Sequence, residues 1–149
     1  MNMPPGNPMK STWKDEAHIV LDACALIAFL NDEPGAEVVT AMLESAPSVE
    51  MSAINLLEIA YDAVRRSGDR HSIQELLDVV NQLPVKIHWR MGDQVFRHAA
   101  EFKSSFRISL ADAIALALAK SLDAPIASSD HHEFDPLEAN GTARFIWIR

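Results

Sequence analysis

From Ile19 to Leu30 every residue is apolar except Asp22. The run is well short of the ~18 residues of a membrane span. It is therefore expected inside a folded domain, with one carboxylate enclosed in it. His18 to Leu21 reads as a short buried strand, β-branched at Ile19 and Val20. Ala23 to Leu30 reads as a helix, stopped by Asn31-Asp32-Glu33-Pro34-Gly35.

The same alternation recurs along the chain. Ala36 to Ser45 is a second helix and Val49 to Met51 a second strand. A longer helix starts at Ser52 and runs to about Ser67, closed by Gly68. Arg70 to Leu83 is amphipathic, with Ile73, Leu76, Leu77 and Val80 on one stripe, and Pro84 breaks it. Strands are expected at Val85–Trp89, Pro125–Ala127 and Ala143–Ile148, and helices at Gly92–Ser105 and Ser109–Leu122. His131 to Asn140 reads as a loop or single helical turn. Short apolar strands separated by helices predict an α/β fold with a mostly parallel sheet covered on both faces. Ligands of such sheets sit beyond the carboxyl ends of the strands.

A chain of 149 residues suits one domain, and 48% apolar with 23% charged residues is ordinary globular usage. Met1 to Glu16 is Pro-rich and aperiodic and is expected to be a flexible tail, with residues 17–149 as the single domain; Trp13 is the one tail residue suited to dock on it. No secretory signal is expected there. The single Cys24 excludes an intramolecular disulfide, and a soluble cytoplasmic protein is the simplest expectation. Lys plus Arg is 13 and Asp plus Glu 21, a net charge of −8. That balance excludes binding of nucleic acid through a generally basic surface, but leaves open local binding through cations held by the chain's own acids.

Four acids stand in unusual surroundings. Asp22 falls at the first strand-to-helix junction, where it can also cap the helix. Asp112 is the one non-apolar residue between Leu110 and Leu118, although Ser109 and Asp112 can form a capping box. Glu58 shares its helix stripe with Ile54, Leu57 and Tyr61; its alternative is a solvated edge charge paired with Arg65. Asp130 follows Pro125-Ile126-Ala127-Ser128-Ser129, just past a strand end, and alone would be a turn residue. An isolated buried carboxylate costs several kcal/mol, and two of them ~4 Å apart repel by ~4 kcal/mol at an effective dielectric near 20. The neighbouring sequence offers no matching buried Arg or Lys. Oxygen-only donors of this kind suit Mg²⁺ or Mn²⁺.

At these residues the sequence resembles the PIN-domain nucleases, most closely the VapC-type toxins of bacterial toxin–antitoxin pairs. Ile19-Val20-Leu21-Asp22-Ala23-Cys24-Ala25-Leu26-Ile27 is similar to the first motif, Ser52-Ala53-Ile54-Asn55-Leu56-Leu57-Glu58 to the second, Ile108-Ser109-Leu110-Ala111-Asp112-Ala113 to the third and Ser128-Ser129-Asp130, with Phe134 after it, to the fourth. The resemblance covers about Ile19 to the end. It implies a three-layer α/β/α sandwich with Asp22, Glu58, Asp112 and Asp130 converging at one edge as catalytic and metal-binding residues. It also implies Mg²⁺- or Mn²⁺-dependent hydrolysis of RNA, inhibition by a cognate antitoxin protein, and homodimerisation. Many members have Ser or Thr two residues after the first Asp, where this chain has Cys24, a weaker hydrogen-bond partner.

Other signals point elsewhere. His131, His132, Glu133 and Asp135 match no closed zinc spacing and read as loop residues. Arg65, Arg66, Arg70 and His71 form a basic strip that could meet RNA, though a solvated helix end explains it as well. The rival functions are a phosphatase on a similar sheet, weakened by Cys24 standing where a second Asp is needed, and a PIN-like scaffold that binds RNA or protein without cutting it.

Overall fold

The computed structural model describes residues 13–149. Of the tail expected over residues 1–16, residues 1–12 lie outside the described part; Trp13 is buried against the domain.

The strands are β1 (Ile19–Leu21), β2 (Val49–Ser52), β3 (Val85–His88), β4 (Ile126–Ser128) and β5 (Phe145–Trp147). The helices are α1 (Ala23–Leu30), α2 (Ala36–Ser45), α3 (Ala53–Ser67), α4 (His71–Asn81), α5 (Asp93–Ser105), α6 (Leu110–Leu122) and α7 (His131–Ala139). All pairings are parallel, in the order β3-β2-β1-β4-β5. The expected α/β/α sandwich is therefore present. Alternate residues of each strand face opposite layers. Ile19, Leu21, Val49, Met51 and Ile146 pack with α1–α4, whereas Val20, Ile126 and Trp147 pack with α5–α7. The chain progresses from β1 outward to β3, then returns to the other side of β1 for β4 and β5. The topology reverses between β1 and β4, and the crevice at that reversal is where such sheets bind ligands.

Local chemistry accounts for most helix ends. Ser52 accepts a hydrogen bond from the Ile54 N–H at 3.1 Å to start α3, and Gly68, at φ +70°, ends it. The segment from His131 to Asn140 is the main departure from expectation: His131–Ala139 form a nine-residue helix, with Asn140 as its C-cap, rather than a loop or a single turn. Asp130 caps it by accepting from the Glu133 N–H at 3.2 Å. Pro136 is tolerated inside this short helix, where Phe134 and Leu137 anchor one face in the core. No helix among the described residues is long and apolar enough to cross a membrane.

Gly35 starts α2 at φ +99°, and a Cβ there would lie 2.7 Å from the Ile148 carbonyl oxygen; Gly68 has a similarly positive φ but open space around it. Gly35→Ala is therefore expected to destabilise the protein by more than Gly68→Ala, roughly 2–3 against about 1 kcal/mol, since only the first adds a backbone clash to the left-handed strain. Urea midpoints of the two variants measure the difference; equal shifts would refute the close approach.

Candidate active site

The site is built on the β1–β4 reversal. Asp22 directly follows β1 and is 2% exposed. Its Oδ1 accepts from the Ala25 N–H at 2.8 Å, which makes it the N-cap of α1. Its Oδ2 accepts from the Ser128 hydroxyl at the end of β4. The Ser128 oxygen in turn accepts from the Asp130 N–H at 2.9 Å. One relay thus joins the carboxyl ends of the two strands. Burial pushes the Asp22 carboxyl up to about 7; the bonds from Ser128 and Ala25 oppose that rise, and the charges of Asp112 and Asp130 add to it.

Asp112 enters from the first turn of α6. Ser109 caps that helix, accepting from the Asp112 N–H at 3.1 Å. Burial raises the Asp112 carboxyl to about 6, against the Ser109 bond, and Asp130, Glu133 and Glu58 push it further. Glu58 lies two turns into α3, and burial raises its carboxyl too. The sequence offered Arg65 as its partner, but Arg65 and Arg66 both pair with Asp62, and none of the four acids makes an ion pair among the described residues. Cys24 reports their convergence: burial and the charges of Asp22, Asp130, Asp112 and Glu58 together push its thiol to about 12. A thiol held neutral in this way is not a nucleophile.

Three further contributors are not among the four acids singled out in the sequence, although Asn55 and Ser128 fall inside the second and fourth motifs. Ser128 reads as a turn hydroxyl beside Asp130, yet it bonds Asp22. Glu133 reads as a loop residue, but α7 brings its charge to bear on Asp112. Asn55, 1% exposed, donates its Nδ2 to the Ala111 carbonyl at 3.3 Å, tying the helix of Glu58 to the helix of Asp112. Its Oδ1 is buried and has no partner.

The donors fit a hard divalent cation. They are all oxygens, they lie within each other's fields, and no cationic side chain neutralises them. Among the described residues no three Asp, Glu, His or Cys side chains stand close enough to grip an ion directly.

A parallel α/β domain with acids that lack cationic partners at its topological reversal presents an oxygen-donor site where such sheets bind their ligands. The chain belongs to the PIN domain family, whose profile matches residues 19–138. It is 28% identical over 117 residues to VapC ribonuclease Mb2780c of Mycobacterium bovis and to ribonuclease VapC42 of Mycobacterium tuberculosis, covering 72% of this chain and 87% of each relative. Among solved structures it is similar to DNA-bound VapBC2 of Rickettsia felis, with a TM-score of 0.66 and 13% identity over 87% of this chain and 98% of that one. It is also similar to Mycobacterium tuberculosis VapC20, a sarcin–ricin loop cleaving toxin, with a TM-score of 0.56 and 18% identity over 74% of this chain and 86% of that one.

The raised carboxyls give metal-free stability a definite pH dependence. Between about pH 4 and about pH 7 the folded state holds the Asp22 proton while the unfolded chain releases it, so stability falls as pH rises through that window. The displacement from 3.8 to about 7 corresponds to on the order of 4 kcal/mol. In chelator, Asp22→Asn should flatten most of this slope and be the more stable protein at neutral pH. Denaturant midpoints across the window test it, and a wild-type slope of the opposite sign would contradict the clustered geometry.

Proposed function

We propose that this protein is a divalent-cation-dependent endoribonuclease, the toxin of a cytoplasmic toxin–antitoxin pair, restrained by a cognate antitoxin protein and active as a homodimer. The observation that carries this reading is the group of four acids without cationic partners at the sheet reversal of a PIN domain. The similarity to named VapC ribonucleases supports the choice of RNA as substrate.

Asp22 and Asp112 would hold the principal Mg²⁺ or Mn²⁺, directly or through water, with Glu58 and Asp130 completing the shell. A bound cation supplies two effects there, a lowered pKa for a coordinated water and neutralisation of charge on the phosphoryl oxygens. The chain's own groups do the positioning. The Ala25 N–H and the Ser128 hydroxyl each hold one oxygen of Asp22, so that carboxylate has a fixed plane. Ser109 holds the first turn of α6, and with it the root of Asp112. Asn55 keeps α3 and α6 at a constant separation, and with them Glu58 and Asp112. Burial of Asp22 excludes competing water from one side of the site. Such preorganisation matters because stabilising groups already in place need not reorient as charge develops in the transition state.

Purified full-length protein incubated with mixed RNA is expected to cut it with Mg²⁺ or Mn²⁺ and not in chelator. Asp22→Asn and Asp112→Asn should each lower the rate by at least about 100-fold. Cleavage that survives equally in chelator and in both variants would overturn the metal mechanism. Binding without cleavage under either metal would favour the scaffold reading. A cation that binds between these acids should also raise the midpoint of thermal unfolding at neutral pH, and more for the wild type than for Asp112→Asn.

A further inference from the structure

Asn55 is 1% exposed, and the function proposed above uses only the donor end of its amide. It stands in the first turn of α3, three residues before Glu58 and so on the same side of that helix. Its Nδ2 donates to the Ala111 carbonyl at 3.3 Å, and the next residue of α6 is Asp112. Glu58 and Asp112 lie within each other's fields across this contact, since the charge of Glu58 helps to raise the Asp112 carboxyl. One side chain therefore touches both helices beside the roots of two of the four acids.

The fold by itself gains little from this amide. The bond to Ala111 is longer than the ~2.7–3.2 Å of a usual N–H to oxygen contact. Its acceptor is already occupied, because the helical pattern of α6 gives the Ala111 carbonyl the N–H of Ala115. The Asn55 Oδ1 is buried and has no hydrogen-bond partner among the described residues. Leaving a buried acceptor unmet costs free energy that an apolar side chain avoids. Leu56 and Ile59 line the buried side of the same helix. Packing alone would select an aliphatic residue at position 55 as well.

An unmet acceptor calls for a donor. Glu58 and Asp112, when ionised, are acceptors only, and no N–H or O–H of the described residues reaches the Asn55 oxygen. The two ends of the amide cannot exchange places, because two oxygens would then face each other at Ala111. The acceptor end is therefore the one left free, and its partner must come from outside the chain. Water is the usual partner of a buried carbonyl oxygen. The hard cations that suit the four acids keep several waters when carboxylates bind them. A water on a cation is a stronger donor than one in bulk.

We propose that Asn55 is a positioning residue: its Nδ2 ties Glu58 to Asp112 through the Ala111 carbonyl, and its Oδ1 holds one water of the cation that these two acids bind. The inference rests on the divalent-cation endoribonuclease reading and adds to it the residue that orders the cation's water. The amide is retained for the cation, against the preference of the metal-free fold. Its donor end is committed to α6, so its acceptor end has a fixed direction before any cation arrives.

The test compares the full-length wild type with Asn55→Leu, Asn55→Ala and Asn55→Asp, in chelator and in Mn²⁺. Asn55→Leu keeps the branching of the side chain and removes both polar ends, and Asn55→Ala covers the case in which the bulkier leucine overfills the site. The better folded of these two is expected to keep its urea midpoint in chelator close to the wild-type value. In the same variant the apparent Mn²⁺ affinity, read from the spin resonance signal of free Mn²⁺, should fall roughly 10- to 100-fold. On mixed RNA it should lose kcat at fixed Mn²⁺ with little change in KM. Asn55→Asp keeps an acceptor oxygen and adds a like charge, so its midpoint in chelator should drop while Mn²⁺ binds no more weakly than to the wild type. Weaker Mn²⁺ binding by Asn55→Asp would overturn the acceptor role. Lower midpoints with an unchanged Mn²⁺ affinity in the apolar variants would mean that the amide serves the fold, and failure of both to fold would mean the same; either result overturns the proposal. If the wild type binds Mn²⁺ and cuts RNA and the apolar variants do so equally well, only the role of Asn55 is wrong. If the wild type neither binds Mn²⁺ nor cuts RNA, the nuclease reading itself has failed.

Discussion

A carboxylate withdrawn from water needs a compensating partner, and the architecture around Asp22 is arranged to provide one without using a cation. The helix start at Ala25 and the hydroxyl of Ser128 satisfy both of its oxygens, yet burial still holds the group far from its ordinary ionisation. Two hydrogen bonds are therefore insufficient to make the charged form comfortable. The imbalance grows when Asp112, Glu58 and Asp130 add like charge at the same crevice. An arginine in their midst would relieve the repulsion and abolish the site, because the acids would be paired with it and closed to any metal ion. Uncompensated charge is the property that would draw a divalent cation to the crevice under the function proposed above.

The molecule separates its two electrostatic tasks in space. The acids gather at the β1–β4 reversal, while the segment from β3 through α5 and into the start of α6 carries the surplus of cations. A polyanion approaching an acidic protein would be repelled over most of its surface and attracted where that segment lies. Fields of this kind act over about 8–10 Å at physiological salt, so cations must adjoin the reactive centre to be of use. Arg90 and Arg107 are the exposed arginines of that segment without an ion-pair partner among the described residues.

Much of the architecture was legible in the residues. Short continuous apolar runs marked the strands and a period of three to four the helices, because strands of a sheet covered on both faces are buried throughout. Gly68, Pro84 and the capping Ser52, Asp22 and Ser109 marked element ends for local stereochemical reasons. Residues 131–140 were harder: His131, His132 and Pro136 are poor helix signals, and the helix exists because Phe134 and Leu137 dock onto β4 and β5 and Asp130 caps its start. Glu58 is half-buried, but Leu57 and Tyr61 of its expected stripe are exposed, and its lack of a partner was not legible, since the competing Asp62 sits one turn further on and takes Arg65 and Arg66.

The linear order of residues determined which side chains had to be hidden and where the chain had to turn, since both depend on neighbours within a few positions. That was enough to single out Asp22 and Asp112 as acids set in apolar surroundings, of which Asp22 is buried and Asp112 half-buried. The relations across the fold depended on the assembled structure. Ser128 meets Asp22 because β4 pairs with β1, 106 positions away along the chain. Asn55 reaches Ala111, and Glu50 draws His18 and His88 to one carboxylate, by the same long-range pairing. Hydrogen bonds and charges act over a few ångströms of space whatever the separation in sequence, so only the closed sheet and its packed helices could decide those partners.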